Sequence, residues 1–192
     1  KLLETQLEPH MLFNTLANLR VLVAHDPARA QQMLDHLIAY LRATLGASRS
    51  TEHPLQAEFD RLRDYLALMA VRMGPRLRYT LDLPDDLAQQ PVPTLLLQPL
   101  VENSITHGLE PQVEGGHITV QARREGARLV LTVTDSGVGL DMPTTHAGGG
   151  FGLAQVRERL ATAYGTQGTI ELIAGSVGGT CAIVIFPLKN EP

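Results

Sequence analysis

Leu95-Leu96-Leu97-Gln98-Pro99-Leu100-Val101-Glu102-Asn103-Ser104-Ile105-Thr106-His107-Gly108 is an apolar helical run that turns polar at its end. Glu102 and Asn103 sit together late in what reads as a core helix, where a buried polar group without a partner costs about 1 to 3 kcal/mol. Partners are therefore expected. The chain's pattern changes at Gly74: before it apolar residues recur at helical spacing, whereas most of the segments after it alternate like strands.

Upstream, the pattern predicts helices over residues 2–24, 27–45 and 55–73. Leu12, Leu16, Leu19 and Val23 form one apolar stripe of the first, with Leu3 and Leu7 on a second side. Asp26 is placed to cap the second helix and Pro27 to open it, with Met33, Leu34, Leu37, Ile38 and Leu41 inside. The first two helices should form an antiparallel hairpin. After a polar link at 47–53, the third buries Leu55, Phe59, Leu62, Leu66, Met69 and Val71 and stops at Gly74-Pro75.

Downstream, strands are predicted at 77–83, 117–123, 128–134, 169–173 and 180–186, with helices at 93–107 and 153–164. Glu125-Gly126-Ala127 reads as a hairpin turn, so the sheet should be mainly antiparallel with helices on one face. The fold class is α+β: a helical region over 1–73, then an α/β sandwich over 74–192.

Composition narrows the chemistry. Of the 16 basic residues only Lys1 and Lys189 are lysines, and of 17 glycines only Gly46 precedes residue 74. A Walker phosphate loop, a eukaryotic-type protein kinase and a Schiff-base enzyme each need an interior lysine, and none is present. The single cysteine, Cys181, excludes an internal disulfide and a cysteine-rich zinc site. A net charge of -4 with 4% aromatics gives no basic, aromatic-laced surface, so direct nucleic-acid binding is not expected. No apolar run approaches the roughly 20 residues that span a bilayer. Lys1 opens a sequence already reading as helix, so an upstream segment is expected.

Three strings can carry chemistry. In the first, the Asn103 amide is a neutral oxygen ligand suited to Mg²⁺, though an asparagine also caps a helix end. In the second, Val133-Thr134-Asp135-Ser136-Gly137-Val138-Gly139, a strand ends in an acid that can accept a hydrogen bond from an exocyclic amine. The third, Gly148-Gly149-Gly150-Phe151-Gly152-Leu153, runs into a helix whose N-terminal amide groups favour a polyphosphate, with Arg157 or Arg159 as the cation. Residues 141–147 between them read as a mobile lid.

In this order and spacing the strings resemble the N box and glycine boxes of the GHKL (Bergerat-type) ATP-binding fold, shared by gyrase, Hsp90, MutL and sensor histidine kinases. The resemblance implies that Asn103 holds Mg²⁺, Asp135 contacts the adenine amino group, Gly137 and Gly139 make room for the base, and Gly150 and Gly152 approach the phosphates. Thr180 is implied beside the adenine, and His107, Leu153 and Arg157 among the other nucleotide contacts. Gln6-Leu7-Glu8-Pro9-His10-Met11-Leu12-Phe13-Asn14 is similar to the phosphoacceptor box of LytS/YehU-type bacterial sensor kinases. Leu97-Gln98-Pro99-Leu100-Val101-Glu102-Asn103 and Val156-Arg157-Glu158-Arg159-Leu160 are also characteristic of that family.

That resemblance implies MgATP-dependent phosphorylation of His10, transfer to an aspartate of a response-regulator receiver domain, and a homodimer through the helical hairpin. It also implies a cytoplasmic piece whose whole protein is anchored in the cell membrane by a segment upstream. His10 lies away from the Leu12/Leu16/Leu19/Val23 stripe with Asn14 one turn on, and Asn14 or Glu8 would orient the imidazole. Glu102 is expected to help polarise the attacking ring. Two positions depart from the family. Thr106 stands where many members carry Lys or Arg, which shifts charge neutralisation to Mg²⁺, Arg157 or Arg159, and Met11 replaces the usual Phe. Pro99 occupies the place of the water-activating acid of GHKL hydrolases, which argues against a GHKL ATPase or a serine-directed kinase. The other competing reading is a nucleotide-binding signalling module without kinase activity.

Overall fold

The computed structural model describes residues 9–46, 50–139 and 149–189. The second apolar side at Leu3 and Leu7, Glu8, residues 47–49 of the 47–53 link and the 141–147 segment lie outside the described residues.

Helix α1 (Pro9–His25) and helix α2 (Pro27–Gly46) meet at Asp26. Asp26 Oδ1 accepts the Arg29 N–H at 3.1 Å, the expected cap. The inward faces differ from expectation. On α1, Met11 and Thr15 are buried and Leu12, Leu19 and Leu22 are partly so, while Leu16 and Val23 remain 49% and 61% exposed. On α2, Ala30, Met33, Leu37, Tyr40 and Thr44 are buried, and Leu34 and Ile38 face outward. The buried threonines return their hydroxyls to the carbonyls of Met11 and Tyr40, each at 2.8 Å, so they enter the core without an unmet polar group.

Helix α3 (Leu55–Met73) buries Leu55, Phe59, Leu62, Leu66, Met69 and Val71 as predicted, and Glu58, Arg61 and Tyr65 as well. Gly74, at φ 63°, donates its N–H to the Ala70 carbonyl and ends the helix. Because α3 packs on α2 and also on the sheet domain, one continuous core runs from Met11 through Leu66 and Val101 to Phe186.

The main sheet has the order β2-β4-β5-β7-β6, from β2 (Leu77–Asp82), β4 (Gly116–Glu125), β5 (Arg128–Asp135), β6 (Thr169–Ala174) and β7 (Thr180–Pro187). Three pairings are antiparallel, as expected, and β2 with β4 is parallel. Helices α4 (Gln98–Asn103) and α5 (Gly149–Tyr164) pack against each other. A second ribbon pairs β1 (Glu52–Pro54) with β3 (Pro91–Pro93), in place of the predicted helix start at 93. Three prolines hide these strands from pattern reading, and a two-stranded ribbon tolerates them because each strand has a free edge.

Candidate functional site: the α4–β5–α5 junction

Pro99 stands in the first turn of α4, where its missing N–H costs nothing. After Asn103 the helix widens over Ser104–Leu109, and the Glu110 N–H reaches the Ile105 carbonyl five residues back at 2.9 Å. Such a widened turn often marks a functional segment. Here it carries Gly108 onto the end of β5, where the Gly108 carbonyl accepts the Val138 N–H at 3.1 Å.

Asp135 ends β5 and is 3% exposed. Its Oδ1 accepts the Gly137 N–H at 2.9 Å. Burial pushes the carboxyl up from its ordinary range, and the Gly137 N–H, the Ser104 hydroxyl and the Thr180 N–H pull it back. Thr180 stands directly opposite Asp135 in the β5–β7 register. Gly137 has a tighter duty than making room for a base: a Cβ there would lie 2.3 Å from the Gly108 carbonyl carbon. A Cβ on Gly179 would lie 1.9 Å from the Asp135 carbonyl oxygen. Gly139 sits beside Gly179, 3.5 Å from its carbonyl by the same measure.

In the first turns of α5, a Cβ on Gly152 would lie 3.0 Å from Asn103 Nδ2. The helix that follows the third string therefore abuts the asparagine of the first. Leu153 packs on the core, Arg157 is exposed, and Thr106 and His107 are half-buried on the widened turn. Gly150 lies in the first turn of α5. Thus Asn103, Gly152, Gly108, Asp135, Gly137 and Thr180 gather where α4, β5, α5 and β7 meet.

Residues 89–190 match the model described as histidine kinase-, DNA gyrase B-, and HSP90-like ATPase, and residues 1–77 match that described as histidine kinase. The chain belongs to the histidine kinase-, DNA gyrase B-, and HSP90-like ATPase family. Within that family its relatives are sensor histidine kinases, including LytS-type proteins. It is 36% identical over 192 residues to the sensor histidine kinase BtsS of Escherichia coli K12, and 31% identical over 194 residues to the sensor histidine kinase YesM of Bacillus subtilis 168. It is 27% identical over 201 residues to the sensor protein LytS of Enterococcus faecalis. Each alignment covers the whole chain but only 34%, 33% and 34% of the respective relative. The chain therefore spans about a third of the length of these curated relatives. The fold is similar to the histidine kinase domain of the Erythrobacter litoralis EL346 blue-light activated histidine kinase, with a TM-score of 0.56 at 17% identity. That likeness covers 97% of this chain and 93% of the other.

Two residues of this histidine-kinase fold have partners that the sequence did not name. Glu102 Oε1 accepts the Tyr40 hydroxyl at 3.0 Å and Gln98 Nε2 at 2.8 Å, so its carboxylate is engaged with α2. Arg159 donates to the Thr94 carbonyl, and burial lowers its pKa while Glu58 raises it. Arg159 is thus committed beneath the α4 turn, which leaves Arg157 as the exposed arginine of that string. No local pattern announced the Tyr40 or the Thr94 contact, because those partners lie 62 and 65 residues away.

In the helical half, His10 lies in the first turn of α1 and Asn14 one turn later. Asn14 lines a cleft of about 520 Å³ with Asn18, Arg72, Arg76 and Glu110, and Arg72 is ion-paired with Glu110. Among the described residues, no helix is long and apolar enough to cross a membrane.

Tyr40, fully buried, is the polar link between the hairpin and α4 that the sequence did not reveal. Burial, with Glu102 beside it, pushes the phenol above its usual range, so it remains a proton donor. Tyr40→Phe keeps the ring and deletes the hydroxyl that Gln98 Nε2 also meets. The expected loss is about 1 to 2 kcal/mol in urea unfolding; an unchanged midpoint would show that the contact adds nothing to holding α4 on α2.

Proposed function

We propose that this chain is the phosphotransfer and nucleotide-binding part of a two-component sensor histidine kinase. The observation that carries the reading is the meeting of Asn103 with Gly152, and of Asp135 with Gly108, Gly137 and Thr180, at one junction. A buried carboxylate at a strand end is an acceptor for an adenine amine, and the α5 amide groups suit phosphates.

The Asn103 side chain, whose Nδ2 abuts Gly152, carries one neutral amide oxygen, a donor that fits Mg²⁺ keeping water and phosphate as its other ligands. When bound, Mg²⁺ would neutralise part of the polyphosphate charge. Arg157 is the nearby exposed cation that can add to it. In the reaction, a neutral imidazole nitrogen of His10 attacks the γ-phosphorus in line, the N–P bond forms as the bond to the β,γ-bridging oxygen breaks, and ADP leaves. The phosphoryl group then passes to an aspartate carboxylate of a receiver domain, restoring the imidazole. The chain's own contribution is positioning, since neutral imidazole is already a nucleophile near pH 7.

The partner expected on the hairpin is a second copy. Phe13, Leu16 and Val23 on α1 and Leu34, Ile38 and Leu45 on α2 are exposed, and pairing two hairpins into a four-helix bundle would cover such faces. Light scattering after size exclusion should give twice the 20.9 kDa chain mass, and a strict monomer at high concentration would contradict the pairing. The whole protein is expected to be held at the cell membrane by an upstream segment.

The test is incubation with γ-labelled ATP and Mg²⁺: acid-labile, alkali-stable label on the chain supports the kinase. Thr106 and the commitment of Arg159 favour one alternative, a module that binds nucleotide and acts by conformation alone. Nucleotide binding without any label would select it.

A further inference from the structure

Pro99 leaves the first turn of α4 without one of its N–H groups, so the direction in which the helix carrying Asn103 starts depends on the turn that precedes it. The turn before it is held from outside. Glu58 of α3 is 1% exposed, its Oε1 accepts the Leu95 N–H at 2.6 Å, and its Oε2 accepts the Leu97 N–H at 3.1 Å. Between these contacts Leu95 has φ 57°, the one positive value at a non-glycine position among the described residues. A leucine stays in that conformation only when its surroundings hold it there, and strain of this kind gathers at functional sites.

The same turn is tied on its other sides. His53 Nε2 lies 2.7 Å from Glu58 Oε1, and Arg61 Nη1 lies 3.9 Å from it. The Thr94 carbonyl accepts Arg159 of α5, the helix whose Gly152 abuts Asn103. The Leu97 carbonyl then accepts the Leu100 and Val101 N–H groups that open α4. One buried carboxylate thereby orients the carbonyl from which the helix grows, and about 9 Å further along, at 1.5 Å per residue, that helix delivers Asn103.

We infer that Glu58 is a positioning residue for the nucleotide site: by clamping the Leu95 and Leu97 amide groups it sets the direction of α4 and so the place of the Asn103 amide beside α5. The inference rests on the reading of Asn103 as the Mg²⁺ ligand. Glu58 touches neither nucleotide nor cation and acts through Asn103. Glu58→Gln keeps the size but sets an NH₂ against one of the two backbone donors, and it removes the carboxylate charge facing Arg61 and Arg159.

The experiment measures how much Mg²⁺ tightens ATP binding, using displacement of a fluorescent ATP analogue with and without chelator, at a temperature where circular dichroism shows every variant folded. In the unmodified chain Mg²⁺ should strengthen binding. Glu58→Gln should cut that enhancement about tenfold, as Asn103→Ala should, while affinity in chelator changes by less than about twofold. Leu62→Ala, a cavity one turn on in α3, serves as a control that lowers stability while leaving the Glu58 carboxylate in place. It should keep the full enhancement.

An unmodified Mg²⁺ enhancement in Glu58→Gln, or an equal loss in Leu62→Ala, would overturn the clamp while leaving the nucleotide reading intact. Absence of ATP binding by the unmodified chain would overturn both. If Glu58→Gln does not fold, Glu58→Asp keeps the charge but is one methylene too short to hold both amide groups. An intermediate enhancement is then expected, and a wild-type value would sink the inference.

Discussion

His10→Gln will take up no acid-labile phosphate from γ-labelled ATP, yet it will bind MgATP within about twofold of the unmodified chain, whereas Asn103→Ala will take up no label and will bind MgATP about tenfold more weakly. The asymmetry follows from where the two residues sit. His10 is on α1, and the junction of Asn103 with Gly152 is on α4 and α5. Glutamine offers no nucleophilic ring nitrogen, so transfer should fall by roughly three orders of magnitude or more, the scale on which losing an essential nucleophile acts. Asn103→Ala removes the side-chain amide that abuts α5, and with it the neutral oxygen proposed for Mg²⁺. Label retained in His10→Gln, or alkali-labile label on another residue, would remove His10 from its role.

Gly179→Ala will destabilise the chain by about 3 kcal/mol or more in urea unfolding, while Gly126→Ala will cost only about 1 to 2 kcal/mol. Both positions have positive φ, 74° and 59°, so both substitutions carry the left-handed penalty. They differ in space. A Cβ at Gly126 meets nothing within 4 Å, whereas one at Gly179 would lie 1.9 Å from the Asp135 carbonyl oxygen and 2.8 Å from the Gly137 nitrogen. These obstacles are backbone, so no rotamer change can relieve them, and the strand end that presents Asp135 must move. Nucleotide affinity should fall with stability at Gly179 and stay unchanged at Gly126. Equal losses of stability at the two sites would show that the close approach is not a constraint.

The two substitutions also mark how much was legible beforehand. Gly137 and Gly139 stood out because two glycines follow an acid at a strand end. The tight fit of Gly137 on Gly108, and of Gly179 on Asp135, requires knowing that α4, β5 and β7 converge. Asp135 and Asn103 were recognisable because a polar residue at the end of an apolar strand or helix needs a reason locally. Glu102 was equally conspicuous, but its partner Tyr40 is 62 residues away, and nothing local distinguishes a carboxylate aimed at substrate from one aimed at a buried phenol.

On α1 and α2 the helical period was clear and the buried face was not. Leucines on several sides leave the moment direction ambiguous, and packing chose Met11, Thr15, Met33 and Tyr40 over Leu16, Val23, Leu34 and Ile38. In the main sheet the strands and the β4–β5 hairpin came from alternation and a turn at Gly126, which are interactions over a few residues. The parallel partner of β2 and the proline-bearing ribbon of β1 and β3 did not, because pairing across a long connection is settled by which apolar faces must share a core.

By itself the sequence determined the α+β class and most element positions, which depend on spacing within a turn or a strand, where backbone geometry leaves few options. The strings proposed for the nucleotide site and the phosphoacceptor box stood out through their family resemblance. Only the tertiary structure decided what those residues face: Glu102 to Tyr40, Arg159 to Thr94, and Glu58 to the turn that aims Asn103. Those contacts join segments distant in sequence, and burial makes each partner obligatory without saying in advance which segment supplies it.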